Sequence, residues 1–219
     1  MRSLKLLGIE LIRPEDYANE HLGNFLEIIG FSQESVHDAR VELRRFYVVA
    51  KALYPLHGDY GLIDLTRGLL KDLGKVRDMD VHGCPKIDRD KVVAKTLRLS
   101  GFLTRLPKLY GSRYLVAQNL LSAFFQAREA TDFHQLRKVL REARFLSESL
   151  GIEAYSLKEV VKEMGEMRDN VRRSLCEGVQ SSLQFDESLK ERGVSAVREL
   201  LLSDHEFHHI KARILNPRG

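Results

Sequence analysis

Helical periodicity runs along almost the whole chain, and this feature constrains the fold most. Apolar residues recur at the spacing of one helix face, and no convincing alternating stretch bounded by turn residues indicates a strand. We therefore expect an all-α protein. The pattern predicts helices at about 14–29, 33–54, 60–81, 88–106, 112–129, 132–150, 156–177 and 194–215, with 178–193 as a further short helix or an irregular link.

Composition limits the class of protein. Hydrophobic residues make up 43% of the chain, enough for a real core, and charged residues make up 30%, which excludes a membrane protein. No apolar run approaches the length that spans a bilayer, and the N-terminal segment lacks the cleavage site of a signal peptide. Cys84 and Cys176 have neither metal nor redox spacing, which fits a reducing cytosol. We expect a cytoplasmic protein with no membrane partner.

Two short motifs each occur twice, in the same order and at nearly equal offsets. HDARVELR, from His37, aligns with HQLRKVLR, from His134. GKVRD, from Gly74, aligns with GEMRD, from Gly165. Two motifs in register indicate duplicated helical halves, 1–110 and 111–219, divided near Gly111. Two similar bundles that face each other would create a pseudo-twofold groove or pore.

Each copy of the first motif places positive charge along one helix face, because residues three, four and seven positions apart share a face. Like charges at this spacing repel by a few tenths of a kcal/mol per pair, so a purely solvated face usually interleaves Glu with Lys. The formal charge is only +4 and the pI about 9.0, so an anion site has to come from such local clusters. The clustered residues are His37, Arg40, Arg44, Arg45 and Lys51 in the first half, and His134, Arg137, Lys138, Arg141 and Arg144 in the second.

The residue types favour an extended phosphate anion over a carboxylate metabolite. The guanidinium fork of arginine matches phosphate oxygens in a bidentate way. Histidine near a helix start can donate to phosphate where the helix N-terminus already favours negative charge. Arg77 and Arg168 in the second motif are further candidate contacts. We expect Asp78, Asp80 and Asp169 to orient arginine side chains instead of touching a ligand. A third stripe, Lys91, Lys95, Arg98 and Arg105, has no repeat partner.

The two repeated motifs resemble those of the CHAD family, the conserved histidine α-helical domain. The matching stretches are VHDARVELRRF with LGKVRDMDV, and FHQLRKVLREARF with MGEMRDNV. The resemblance covers essentially the whole chain. It implies one CHAD domain, 1–219, built of two pseudo-twofold-related four-helix bundles with a central basic channel or groove. It also implies binding of inorganic polyphosphate without catalysis, through the basic residues of the first motif. Storage, localisation to polyphosphate granules and signalling are all compatible with such binding.

The chain departs from the family pattern at two positions. Tyr47 stands where the family usually has a further basic residue, and Glu142 occupies the place of Arg45 in the second repeat. These differences predict an unequal contribution of the two halves. The triphosphate-tunnel domain often fused to the family is also missing from this sequence, which predicts a stand-alone module.

Two other functions compete with polyphosphate binding. His205, Glu206 and His209 fit the H-E-x-x-H pattern of zinc hydrolases, but the residues after them offer no third ligand. Nucleic acid could occupy the same basic faces, with Tyr47, Tyr110 and Tyr114 as candidate stacking residues. We expect polyphosphate as the main partner, nucleic acid as a secondary one, and no enzyme activity, metal or cofactor.

Overall fold

The structure is a computed structural model that describes residues 5–6, 9–10 and 12–203. Within these residues its regular secondary structure is helical, apart from an antiparallel pair of two-residue strands, β1 (Lys5–Leu6) and β2 (Ile9–Glu10). The all-α prediction is therefore confirmed for the described part of the chain. The helices are α1 (Pro14–Ile28), α2 (Gln33–Ala52), α3 (Tyr54–His57), α4 (Tyr60–His82), α5 (Arg89–Ser100), α6 (Ser112–Glu129), α7 (Phe133–Ser149), α8 (Tyr155–Cys176) and α9 (Glu187–Ser203).

Two compact units divide the described residues. Unit 1 comprises the chain before Pro14, Gly111–Arg168 and the chain from Leu183 onward. Unit 2 comprises Pro14–Tyr110 and Asp169–Ser182. The predicted boundary between the halves 1–110 and 111–219 coincides with a boundary between the two units, at Gly111. The segment before Pro14 groups with the second half, however, and Asp169–Ser182 groups with the first.

The core of unit 2 is built on α2, which packs against α1 and α4. Leu43 and Phe46 on α2, Phe25 on α1 and Leu73 on α4 are fully buried. Each such side chain contributes about 1.5–3 kcal/mol by leaving water. Because these residues take up one side of α2, the opposite side of the helix is left for polar and charged residues.

The helix predicted at 88–106 is shorter in the structure. α5 ends at Ser100, and Gly101–Tyr110 forms a mainly irregular segment that we call the strap. Leu103, Leu106 and Leu109 of the strap are buried. Asn19 on α1 replaces the helical hydrogen bonds there: its side chain accepts from the Leu106 N–H at 2.8 Å and donates to the Leu106 carbonyl at 2.9 Å.

The core of unit 1 is formed by α6, α7 and α9. Leu136 and Leu140 on α7 and Val197 on α9 are fully buried. A Cβ atom on Gly193 would lie 2.5 Å from Leu140 Cδ1, so the glycine lets α9 approach α7 closely. This packing buries the apolar side of α7, and the basic residues lie on its other side. α9 begins at Glu187, earlier than the predicted residue 194.

The two cysteines form a disulfide within unit 2. Cys84 follows α4 and Cys176 ends α8, with a Cα–Cα distance of 5.9 Å. The two cysteines are 92 residues apart in the sequence and meet only in the folded protein, so no local spacing motif reveals the pair. The cysteines therefore no longer support the prediction of a reducing, cytoplasmic location, since disulfides persist in oxidising compartments.

Reduction of this disulfide is expected to lower the free energy of unfolding by about 2–4 kcal/mol, because the bond closes a long loop in the unfolded chain. Guanidinium denaturation with and without reductant measures the change. The Cys84→Ala/Cys176→Ala variant should be as unstable as the reduced protein and insensitive to reductant. Alkylation of both thiols in the native, unreduced protein would contradict the expectation.

No helix in the part of the chain that the structure describes is both long and apolar enough to cross a membrane.

Candidate functional site

The basic residues predicted in the first half lie on the side of α2 that does not carry its apolar core residues, in unit 2. The helix begins after Ser32, whose hydroxyl accepts the N–H of Ser35 at 3.0 Å. His37 and Lys51 are exposed at opposite ends of the face, and the arginines between them are half-buried. We call this set the α2 face. It consists of His37, Arg40, Arg44, Arg45 and Lys51.

The equivalent residues of the second half lie on α7, in unit 1. Asp132 caps this helix by accepting the N–H of Gln135 at 2.8 Å. His134 and Lys138 are exposed, and the arginines are half-buried. We call this set the α7 face. It consists of His134, Arg137, Lys138, Arg141 and Arg144.

A glycine of the second motif lies against an arginine of the first motif in each unit. A Cβ atom on Gly74 would be 3.5 Å from both Nε and Nη2 of Arg40. A Cβ atom on Gly165 would be 3.8 Å from Nη2 of Arg137. The guanidinium groups of Arg40 and Arg137 therefore lie beside α4 and α8, at ordinary van der Waals distance from the position of such a Cβ. The two motifs are thus close together in both halves.

The inner edges of these arginines are enclosed by protein. The Nε atoms of Arg40, Arg45, Arg137 and Arg141 have almost no exposed surface, although each residue as a whole is half-buried. Half-buried guanidiniums lose less conformational freedom when they bind than flexible surface side chains do. Such groups suit a planar, bidentate contact with an oxyanion.

A carboxylate holds Arg45 on the α2 face. Its Nη1 donates to Glu42 Oε1 at 2.6 Å. The other oxygen of Glu42 lies 2.6 Å from His21 Nδ1 and accepts from Asn24 at 3.0 Å. Burial by itself raises the pKa of Glu42, but these hydrogen bonds and the positive charges of His21 and Arg45 outweigh it and lower the pKa. Glu42 thus links the α2 face to α1.

Glu42→Gln is expected to lower the free energy of unfolding by about 1–3 kcal/mol at neutral pH, because a neutral amide cannot make the charge-assisted hydrogen bonds of the carboxylate. A lowered folded-state pKa gives stability that is complete above the ordinary carboxyl pKa and is lost as the pH falls through the folded value. The deficit should therefore shrink in acid. Thermal unfolding between pH 7 and 3 measures it, with exposed Glu27→Gln as the control. A deficit independent of pH would contradict the role of the Glu42 charge.

Arg144 on α7 is also held by a carboxylate. Its Nε donates to Glu148 at 2.8 Å, and its guanidinium lies 5.4 Å from the Phe145 ring centroid. Glu148 occupies the repeat position of Lys51, so the end of the α7 face carries less positive charge than the end of the α2 face. Together with Glu142 at the position of Arg45, this makes the two faces unequal in charge.

Arg77, in the first copy of the second motif, pairs with Asp169 in the second copy. Both of its Nη groups donate to the Asp169 carboxylate, and its Nη1 lies 3.2 Å from His82 Nε2. Reciprocally, Arg172 contacts Asp78 at 2.8 Å. The hydrogen bond to Asp169, against the opposing effect of burial, raises the pKa of Arg77. The N–H groups of Arg77 that face Asp169 are therefore already used within unit 2.

The aspartates of the second motif act on arginines, as expected from the sequence. Asp80 accepts from Arg89 at 2.8 and 3.2 Å, and Asp78 and Asp169 contact Arg172 and Arg77. The arginine partners themselves were not predictable, because they lie on other elements. Arg168, the counterpart of Arg77, is half-buried on α8, one turn after Gly165.

One groove of unit 1 has the wrong charge for a polyanion. It encloses about 530 Å³ between α8 and α9. Glu159, Glu163, Glu166 and Glu199 line it, against only Lys162 and Arg192. Arg192 is moreover paired with Glu163 at 2.7 Å. A phosphate chain would be repelled from this groove.

The zinc-hydrolase pattern of His205, Glu206 and His209 lies outside the described residues. Among the residues that the structure describes, no three His, Cys, Asp or Glu side chains are grouped so that they could hold a metal ion.

No protein-family model, curated protein or solved structure matches the chain. The resemblance to the CHAD family consequently rests on the two repeated motifs.

Proposed function

We propose that the protein binds inorganic polyphosphate through the α2 face and the α7 face. Both faces combine an exposed histidine near a helix start with half-buried arginines one and two turns later. Arginine and histidine donate hydrogen bonds and accept none when charged, which matches an anion made only of phosphate oxygens. Polyphosphate offers many equivalent oxygens along one chain, so several arginines can engage it at once.

The observation that carries the proposal is the arginine–glycine contact found in both units. Arg40 against Gly74 and Arg137 against Gly165 hold two guanidiniums in the same way on two different helices. A basic stripe that only solubilises the protein needs no such packing, because mobile lysines would serve equally well. Support also comes from the resemblance of the two motifs to the CHAD family, whose members bind polyphosphate.

The faces are assigned different parts in this proposal. The arginines of both faces make the phosphate contacts, with the exposed His37, Lys51, His134 and Lys138 at the margins. Glu42 and Glu148 each accept one hydrogen bond, from Arg45 and from Arg144, so part of these two guanidinium groups is already used. Arg168 is a further contact. Arg77 positions α8 through Asp169 instead of binding the ligand.

Isothermal titration with long-chain polyphosphate tests the proposal, with polyglutamate of matched charge as the carboxylate control. We expect saturable binding of polyphosphate, at least about tenfold tighter than that of polyglutamate, since bidentate phosphate contacts add to the common electrostatic attraction. Equal affinity for the two polymers would show that the faces attract polyanions in general and do not prefer phosphate. Absence of polyphosphate binding at low salt would remove the proposal.

A further inference from the structure

A second basic surface lies in unit 2, on α5 and the strap. Residues 91–110 include five basic side chains and no acidic one. The helix contributes Lys91, Lys95 and Arg98, and the strap contributes Arg105 and Lys108, all of them exposed. Neither repeated motif contains these residues. A surface so biased in charge is complementary to a polyanion.

Hydrogen bonds to α1 hold the strap in place. Both backbone groups of Leu106 bond to the Asn19 side chain, and the Leu109 N–H donates to the buried Glu15 at 3.1 Å. Burial of every third residue, Leu103, Leu106 and Leu109, turns the residues between them outward. The strap therefore presents its other side chains from a fixed backbone.

Two of those outward side chains are aromatic. Phe102 is 70% exposed and Tyr110 is 94% exposed, although both are large rings that would normally be buried. Phe102 stands at one end of the strap and Tyr110 at the other, with Arg105 and Lys108 between them. Single-stranded nucleic acid is bound by such a combination, in which exposed rings stack on bases and nearby cations engage the phosphates.

The cations of this surface are available to a ligand. Among the described residues, Lys91, Arg98, Arg105 and Lys108 form no ion pair or side-chain hydrogen bond, whereas Lys95 contacts Asp72 at 2.7 Å. The exposed acids of α1, Asp16, Glu20 and Glu27, form no ion pair with the strap. In contrast, carboxylates hold Arg45 on the α2 face and Arg144 on the α7 face.

We propose that this surface, formed by Lys91, Arg98, Phe102, Arg105, Lys108 and Tyr110, binds single-stranded nucleic acid. The cations engage the phosphates, and the two rings stack on bases. Bare polyphosphate has no bases and gains nothing from the rings. Rigid double-stranded nucleic acid keeps its bases stacked on one another, so that it offers them less readily to the rings. The site shares no residue with the α2 and α7 faces and does not depend on their function.

Fluorescence anisotropy with a labelled single-stranded RNA of about 12 nucleotides tests this assignment. Phe102→Ala/Tyr110→Ala is expected to weaken RNA binding by about 30-fold or more, because each lost stacking contact costs at least about fivefold. The same variant should bind polyphosphate as tightly as the wild type does. Tyr155→Ala, which removes an aromatic that is 67% exposed on α8, is the matched control and should leave RNA binding unchanged.

The salt dependence of RNA affinity measures the contribution of the cations in the same assay. Arg105→Ala/Lys108→Ala should reduce the slope of log affinity against log salt for RNA by about 1.4, since each phosphate contact to a single strand contributes about 0.7. An unchanged slope would overturn the assignment of these two residues.

Three results would overturn the nucleic-acid site as a whole. The first is RNA binding that survives Phe102→Ala/Tyr110→Ala but is lost in Arg40→Ala/Arg137→Ala, since it would place RNA on the α2 and α7 faces. The second is an absence of RNA binding at low salt. The third is binding to vesicles of anionic phospholipid that needs Phe102 and Tyr110, in a protein that does not bind RNA, because that would make the surface a lipid-binding one.

Discussion

Arg40→Ala/Arg137→Ala is expected to weaken the binding of long-chain polyphosphate by at least about 100-fold. A hydrogen bond to a charged group contributes about 1.5–3 kcal/mol, and the variant removes one arginine from each unit. Both arginines lie against a glycine of the second motif, so each is already positioned before the ligand arrives. Isothermal titration at constant salt measures the loss, and far-UV circular dichroism establishes that helix content is kept.

Two further variants make this result specific. Arg67→Ala/Arg192→Ala also removes one arginine from each unit and changes the net charge equally, but both residues are paired with acids away from the basic faces. It should bind polyphosphate within about twofold of the wild type. Arg40→Lys/Arg137→Lys keeps the charge but loses the bidentate fork, and its affinity should fall between the two. Equal weakening by both alanine pairs would show that only net charge matters.

Raising the salt concentration from about 50 to about 200 mM is expected to weaken polyphosphate binding by roughly 300- to 1,000-fold. Each phosphate contact releases counterions, so about six contacts give a slope of log affinity against log salt of roughly −4 to −5 if nucleic-acid behaviour transfers to polyphosphate. The two faces carry eight arginines and lysines, enough for about six such contacts. Titrations at four salt concentrations determine the slope.

The variants also change the salt dependence in a predictable way. Arg40→Ala/Arg137→Ala should have a slope that is smaller by about 1.4–1.8, because two contacts are missing. The Arg67→Ala/Arg192→Ala control should keep the wild-type slope. A flat salt dependence in the wild type would exclude an electrostatic mechanism.

The helices and basic faces were predictable because their signals are local. His37, Arg40 and Arg44 lie three and four residues apart, and this spacing alone puts them on one helix face. The contact between Arg40 and Gly74 was not predicted, although its signal was present: the same glycine occurs in both copies of the second motif. A repeated glycine within a helix indicates close approach by another group.

The strap was missed because its pattern imitates a helix. Leu103, Leu106 and Leu109 recur every three residues, a spacing that also occurs on a helix face. Hydrogen bonds between Leu106 and Asn19, which is far away in the sequence, stabilise the irregular conformation instead. The ion pair of Arg77 with Asp169 and the disulfide between Cys84 and Cys176 are likewise tertiary, and no local spacing encodes them.

The arginine Nε–H resonances of ¹⁵N-labelled protein, followed by NMR while long-chain polyphosphate is added, test the central claim most directly. The Nε atoms of Arg40, Arg137 and Arg141 are enclosed by protein, which favours observable signals. Binding at the two faces predicts that these signals and that of Arg44 shift and saturate together, while those of Arg67 and Arg192 stay in place. Shifts confined to Arg98 and Arg105, with the arginines of α2 and α7 unchanged, would contradict the claim.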